Sequence, residues 1–259
     1  GHILGSTFIQ FSFGGGNGVK TLTFSGDIGN NRQHVIKGPE VIRETDYLVM
    51  EATYGDRLQP RVDVLTEFEQ VICRTLERGG VVVIPAFAVG RTQEVLYLLR
   101  VLEDEKRIPE VPVYVDSPMA NNSTDIYLKH SDDLRLYFHD GKLESPLCPK
   151  CFEAVRTVDE SMLVTMKDGP MIVISAAGML TGGRVLHHLK KRLPDARNTL
   201  LFVGYQVEET KGRLLQQGLP KIRMHKELVD VEAEVVSLSS LSAHGDSQDI
   251  IDWLSQLQR

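Results

Sequence analysis

The chain is poor in cysteine, has no long apolar run and carries no basic excess. Three cysteines in 259 residues are an odd number, which makes a disulfide framework a poor reading and suits a reducing compartment. No apolar stretch approaches the length of a bilayer span, and no leader-like segment opens the chain. The expectation is therefore a cytoplasmic protein with no membrane contact. A formal net charge of −6 excludes a generally basic surface. It leaves room for a local basic groove that grips nucleic acid. Internal repeats and low-complexity tracts are absent as well. What remains is an ordinary globular composition, 42% hydrophobic and 25% charged, in a length that suits one large domain or two smaller ones.

The first stretch reads as a β-hairpin. "STFIQFSF" and "VKTLTFSGD" have strand composition, and "GGGNG" between them is turn chemistry. The glycines do not make a phosphate loop, because neither a helix nor a Lys-Ser/Thr pair follows them. A further apolar run, "DYLVMEATYG", leads towards a helix. From about residue 60 helices and buried strands alternate. Val62, Leu65, Phe68, Val71, Ile72 and Leu76 recur at helical spacing and stop at Gly79-Gly80. "VVVIPAF", "VPVYVDS", "PMIVISAAG" and "NTLLFVGYQ" read as strands, the first buried on both faces. A helix carrying Val95, Leu98, Leu99 and Leu102 and the helix "RVLHHLKKRL" lie among them. The stretch near 121–168 reads as polar and irregular, and the chain ends on a strand, "AEVVSLSS", and an amphipathic helix with Ile250, Leu254 and Leu257. The alternation predicts an α/β fold with a mostly parallel sheet covered on both sides.

Four apolar runs are followed by a titratable residue: Asp27, Glu51, Asp116 and His244. Carboxyl ends of strands are where open α/β folds place their chemistry. Each has a plainer reading taken singly, as a turn aspartate, a surface acid, a helix cap and a loop histidine. His2, in the opening "GHILGS", reads on its own as a core histidine or a cloning remnant. Together, two histidines and two or three carboxylates suit either a zinc site or an acid/base pair. The single "CPKC" pair at Cys148 and Cys151 is a weak metal signal without a second pair. His187 and His188 are adjacent on a helix and cannot share a face. His34, His130, His139 and His225 show no ligand-like spacing, and the "KKR" run at 190–192 reads as a solvated helix end.

The segments "GHILGS", "FSGDIG", "EATYGD", "PAFAVGRTQE", "VDSPMA", "SAAGML", "GGRVLHHL", "VGYQ" and "SAHGD" occur in one order along nearly the whole chain. That series resembles the metallo-β-lactamase/β-CASP ribonucleases. The resemblance implies a partial metallo-β-lactamase αββα lobe, from residues 1–58 and 232–259, with a β-CASP lobe inserted at 59–231. It implies zinc-dependent hydrolysis of single-stranded RNA, with two zinc ions in the intact enzyme. His2 matches a zinc ligand and Asp27 a carboxylate bridging two zincs. Glu51 matches the acid of the first β-CASP motif, and His244 the histidine paired with it at the scissile phosphate.

The departures are as specific. The family's HxHxDH ligand motif does not occur, nor does a later histidine in a "VHGE"-like loop, so the chain reads as the middle of a longer enzyme, inactive alone. On that reading the remaining ligands, His2 and Asp27, hold zinc weakly. For the substrate, "PAFAVGRTQE" brings Gly90 and Arg91 to a helix N-terminus where amides favour phosphate, and "SAAGMLTGGR" places Ser175, Gly178 and Arg184 similarly. Lys211 and Arg213 are further groove candidates. Surface salt bridges are the competing reading for each cation. Alternatives to the ribonuclease are a non-catalytic RNA-binding or scaffolding β-CASP protein and a DNA-directed relative, with a homodimer as a further arrangement. The glutamate of "EATYG" resembles the RNA branch.

Overall fold

The structure, a computed structural model, describes residues 1–15, 18–136, 145–238 and 240–257. The centre of the glycine turn, 16–17, and His139 lie outside the described residues. Packing divides the chain into two compact units. One holds residues 1–61, 131–136 and 242–259, the other residues 62–130 and 137–241.

The first unit contains a three-stranded sheet. Strands β1 (Ile9–Gly15) and β2 (Gly18–Phe24) form the expected antiparallel hairpin, with Ile9 opposite Phe24. The short strand β3 (Tyr47–Val49) joins β2 in parallel. Its entry is fixed by Asp46, whose carboxylate accepts from the Thr21 amide at 2.7 Å and the Thr21 hydroxyl at 3.1 Å. A small core of Ile28, Ile42 and Trp253 binds the end of the chain to its beginning. Trp253 is buried within the terminal helix Ser247–Leu254, and its indole N–H donates to the Glu40 carbonyl at 2.8 Å. That helix starts where Asp246 caps the amides of Gln248 and Asp249.

The second unit is built on six strands, all parallel. After helix α1 (Val64–Glu77) come β4 (Val81–Pro85), α2 (Arg91–Asp104), β5 (Val113–Asp116) and α3 (Pro118–Lys129). Then follow β6 (Phe152–Val155), α4 (Val158–Met166), β7 (Met171–Ser175), α5 (Val185–Arg192) and β8 (Thr199–Phe202). Helix α6 (Lys211–Gln216), the hairpin β9 (Lys221–Met224) with β10 (Glu227–Asp230), and β11 (Glu234–Ser237) complete the unit. The terminal helix of the first unit is α7. The sheet order is β11-β8-β4-β7-β5-β6. Every residue of β4, β5, β7 and β8 is buried, as unbroken apolar runs require when helices cover both faces. One face packs Phe68, Ile72, Leu98 and Leu99 of α1 and α2; the other packs Leu186, Leu189 and Val164 of α5 and α4.

One expectation needs correction. The stretch near 121–168 is not irregular, since it holds most of α3, all of β6 and all of α4. Ser117 caps α3 with Pro118 at its first position, and Thr157 with Glu160 forms a capping box on α4. Both helices leave large apolar side chains in water, among them Met119, Ile126, Met162 and Leu163. That dilutes the periodicity by which a helix is read. The β9–β10 hairpin was likewise not expected. The packing boundary falls at 61 and 241, because β11 hydrogen-bonds to β8 and so draws 232–241 into the parallel sheet. Among the described residues no helix is long and apolar enough to cross a membrane.

Candidate functional site

Four residues far apart in sequence meet in the first unit, each delivered by a specific local device. "GHILGS" is a tight turn: the Ser6 amide donates to the Ile3 carbonyl at 3.0 Å, and the Ile3 amide donates to Ser6 Oγ at 3.0 Å. The Gln33 amide then holds the carbonyls of Gly1 and His2 at 2.8 and 3.2 Å. Gly29 allows this segment to pass, because a Cβ there would lie 1.9 Å from the Gly1 carbonyl oxygen. Beyond β2, Ser25 ties the chain to β3: its amide donates to the Val49 carbonyl, and its hydroxyl accepts from the Glu51 amide at 3.1 Å. Gly26 takes a left-handed φ of 58°, which presents Asp27 to solvent. The loop carrying His244 is pinned by Asn30 Nδ2 on the Ser242 carbonyl at 2.7 Å and by Gln59 Nε2 on the His244 carbonyl at 2.9 Å.

His244 Nδ1 lies 3.0 Å from each carboxylate oxygen of Glu51. Glu51 Oε1 also accepts from the Ile28 amide, and Oε2 from the Thr53 amide at 3.3 Å. Burial pushes the Glu51 carboxyl up, but hydrogen bonds from His244, Thr53 and Ile28 outweigh it and hold it at about 2. The Glu51 bond raises His244 above the ordinary imidazole value against an opposing effect of burial. The rings of His2 and His244 sit 4.4 Å apart, tilted by 47°. Burial, and then the His244 ring, push His2 down.

His2 Nε2 is 3.7 Å from Asp27 Oδ2, too far for a hydrogen bond. His2 Nδ1 is buried and has no hydrogen-bond partner. One donor atom from each of His2, Asp27 and His244 lies within 4.8 Å of the others, the sole such grouping of histidine, cysteine and acidic side chains among the described residues. Two imidazole nitrogens and a carboxylate oxygen are a donor set that zinc takes, so the residues fit the ion. Cys148 and Cys151 are free and belong to no such group.

The phosphate candidates lie in the second unit, at the carboxyl edge of the parallel sheet, and fare unequally. The Gly90 amide donates to Gln93 Oε1 at 2.8 Å, and the amides of Arg91 and Thr92 donate to the carbonyls of Val89 and Phe87. The amides expected to face phosphate are therefore taken. Ser175 is buried, and its hydroxyl donates to the Asp116 carbonyl at 2.8 Å. Gly178 is buried against the backbone of Phe87. Ser175 and Gly178 share one structural role: they knit neighbouring strand ends together. Arg213 pairs with Glu208 at 2.9 Å.

Arg184 anchors a cluster that the sequence reading missed. Asp116, fully buried at the end of β5, accepts from Arg184 Nη1 at 2.9 Å, His188 Nε2 at 2.7 Å and Ser161 Oγ at 2.6 Å. Burial pushes Asp116 up, but His188, Ser161 and Arg184 together hold it below the usual carboxylate value. Burial keeps the His188 ring below its usual value despite the aspartate. Arg184 also donates to the Arg156 carbonyl at 3.1 Å. A signal was present in the sequence. Residues 184 and 188 are spaced i, i+4 and share a helix face, whereas 187 and 188 do not.

Two family models match the chain. Residues 92–215 match the Beta-Casp domain, and residues 228–259 match the Zn-dependent metallo-hydrolase RNA specificity domain. Ribonuclease TTHA0252 of Thermus thermophilus is 38% identical over 259 residues, covering 98% of this chain and 58% of that protein. The chain belongs to the metallo-β-lactamase β-CASP family. Other family members similar to it are transcription termination factor FttA of Methanosarcina mazei, 34% identical over 100% of this chain and 42% of that protein, and an RNase J-like protein of Methanocaldococcus jannaschii, 32% identical over 100% and 60%. The chain thus spans about half the length of the curated relatives it matches.

Proposed function

We propose that the protein is a zinc-dependent ribonuclease that hydrolyses phosphodiester bonds of single-stranded RNA. The observation that carries the reading is the Glu51–His244 pair set beside His2 and Asp27. Relatives named as ribonucleases support it, as does the match to an RNA specificity domain of zinc-dependent hydrolases. The first unit takes the part of the metallo-β-lactamase lobe and the second that of the β-CASP lobe.

His2 and Asp27 are the residues that would hold zinc. Zinc, when bound, supplies the Lewis acidity that polarises the phosphate and eases ionisation of water. Glu51 fixes His244 through Nδ1 and favours the protonated ring, which leaves the Nε2 proton for the leaving oxygen. Arg184, its fork steadied by Asp116, and Arg91 contact backbone phosphates, which positions the strand without reading its bases.

A second role for His244 follows from its place in the donor group with His2 and Asp27. With Glu51 behind Nδ1, its Nε2 is disposed to serve as a third zinc donor in a carboxylate–histidine–metal relay. One experiment separates the two roles. Zinc affinity and RNA cleavage are measured for the full-length gene product and its His244→Ala variant. A general acid predicts zinc affinity within about twofold and cleavage reduced about 100-fold or more. A ligand predicts both falling together. Zinc-independent cleavage, or a wild-type rate in the variant, would sink the proposal.

A further inference from the structure

The carboxyl edge of the parallel sheet carries two large aromatic side chains that the core does not use. Strands β4 and β8 are neighbours, with Val82 opposite Thr199 and Val83 opposite Leu200. Carried forward, that register sets Phe87 level with Gly204, one residue before Tyr205. Both strands are buried throughout, yet Phe87 is 48% and Tyr205 57% exposed.

Their backbones are nonetheless locked. The Phe87 carbonyl accepts from the Thr92 amide at 3.1 Å and the Thr92 hydroxyl at 2.9 Å. Next to Tyr205, the buried Gln206 donates through Nε2 to the Gly178 carbonyl at 3.0 Å. Gly178 in turn abuts Phe87, since a Cβ there would lie 3.2 Å from the Phe87 amide and 3.5 Å from its ring. One glycine thus touches both loops, and the two side chains, each about half exposed, rise from a fixed base. At the opposite edge of the sheet, the small pocket beside Gly79 and Gly169 is lined by Lys167, Asp168, Lys191 and Arg197 and by no aromatic residue.

We propose that Phe87 and Tyr205 form a stacking platform for unpaired bases of single-stranded RNA, a reading that rests on the ribonuclease function proposed above. Every base has a π-face, so stacking grips a strand without selecting its sequence. Rigid aromatic side chains also lose little conformational freedom on binding. The same strand-end edge presents Arg184, whose guanidinium is held by Asp116 at the end of β5. A cation and exposed rings on one edge suit a strand of phosphates and bases better than they suit an apolar protein surface. The proposal adds base contacts to the phosphate contacts already assigned.

The test measures binding of fluorescein-labelled oligouridine, oligoadenosine and an abasic strand of equal length by anisotropy over a salt series. Wild type is compared with Phe87→Ala, Tyr205→Ala and Phe87→Trp. Each alanine variant should weaken binding of both base-bearing strands by about fivefold to 100-fold. The salt slope should stay unchanged, because no phosphate contact is lost. The abasic strand should bind all four proteins alike, and Phe87→Trp should restore wild-type affinity. Equal losses on abasic and base-bearing strands, or none on either, would overturn the platform while leaving the ribonuclease reading intact. Absence of RNA binding by wild type at every salt concentration would overturn the RNA reading itself. Sedimentation of each variant reads a third outcome: an alanine variant that alters self-association while sparing RNA affinity assigns the rings to a protein contact and also overturns the platform.

Discussion

His244 Nδ1 faces both carboxylate oxygens of Glu51 at 3.0 Å, across 193 residues of chain. The equal distances mean that the ring is centred on the carboxylate rather than tipped towards one oxygen. Glu51→Gln keeps the shape and removes the charge. In the full-length gene product it should slow single-turnover RNA cleavage by about 100-fold, with RNA affinity within about twofold. A wild-type rate would separate the carboxylate from the chemistry.

Zinc uptake by the chain itself should be measurable by titration calorimetry and reversed by EDTA. His2→Ala and Asp27→Asn should each abolish the signal. Gly29→Ala should weaken it about tenfold without touching a donor atom, because the new methyl displaces the Gly1 carbonyl and with it His2. Unaltered uptake in Gly29→Ala would show that residues 1 and 2 are not held as described.

His188→Leu should destabilise the second unit by about 2–3 kcal/mol, since Asp116 would lose a hydrogen bond to a charged, buried oxygen. Urea unfolding followed by circular dichroism reads this directly. His187→Leu, one residue away and exposed, should stay within about 0.5 kcal/mol of wild type.

The same pair makes stability pH-dependent. His188 is held below its ordinary value of 6.5 in the fold, so below that pH the unfolded chain binds a proton that the folded chain refuses. Its contribution is complete above about pH 6.5 and is lost as the pH falls towards the depressed folded value. Asp116, also depressed, adds a loss of the same sign that begins only near its ordinary 3.8. The urea midpoint should therefore drop between about pH 7.5 and about pH 5 in wild type, and drop less in His188→Gln. Parallel curves for the two proteins would place the titration elsewhere.

Arg184→Ala should lower RNA affinity for all sequences alike and reduce the salt slope by about one. It should also cost stability, because Asp116 loses its cation. Arg184→Lys separates the effects: the charge and most of the salt slope remain, while the two-pronged hold on Asp116 and the Arg156 carbonyl does not. A salt slope equal to that of wild type in Arg184→Ala would remove Arg184 from the phosphate path.

The sheet was legible because its strands are unbroken runs such as "VVVIP" and "MIVIS", which only double-sided burial explains. Helices α3 and α4 were not, because Met119, Met162 and Leu163 face water and blur the helical period. At the site, Glu51 and His244 could be named from motif order, yet their closeness depends on long-range hydrogen bonds from Asn30 and Gln59. Gly90, Ser175 and Gly178 show the limit of reading a glycine-rich turn as a phosphate cradle. Such a turn also serves to start a helix or to bring strand ends together, and here its polar groups are spent on both.

The second unit leaves the first after residue 61, gives residues 131–136 back to it and ends at residue 241. Its two ends meet: Ser240 Oγ donates to Glu67 Oε2 at 3.2 Å, and Leu241 shares a core cluster with Val64. An unstructured chain of that length would impose a loop-closure cost on anything that must join its ends, and the cost grows with the logarithm of length. Once folded, the insertion behaves as a short tether instead. Formation of the parallel sheet should therefore precede assembly of the Glu51–His244 pair. Substitutions in the β4–β8 core should then slow acquisition of zinc-binding competence even though no atom of that core lies near His2 in sequence.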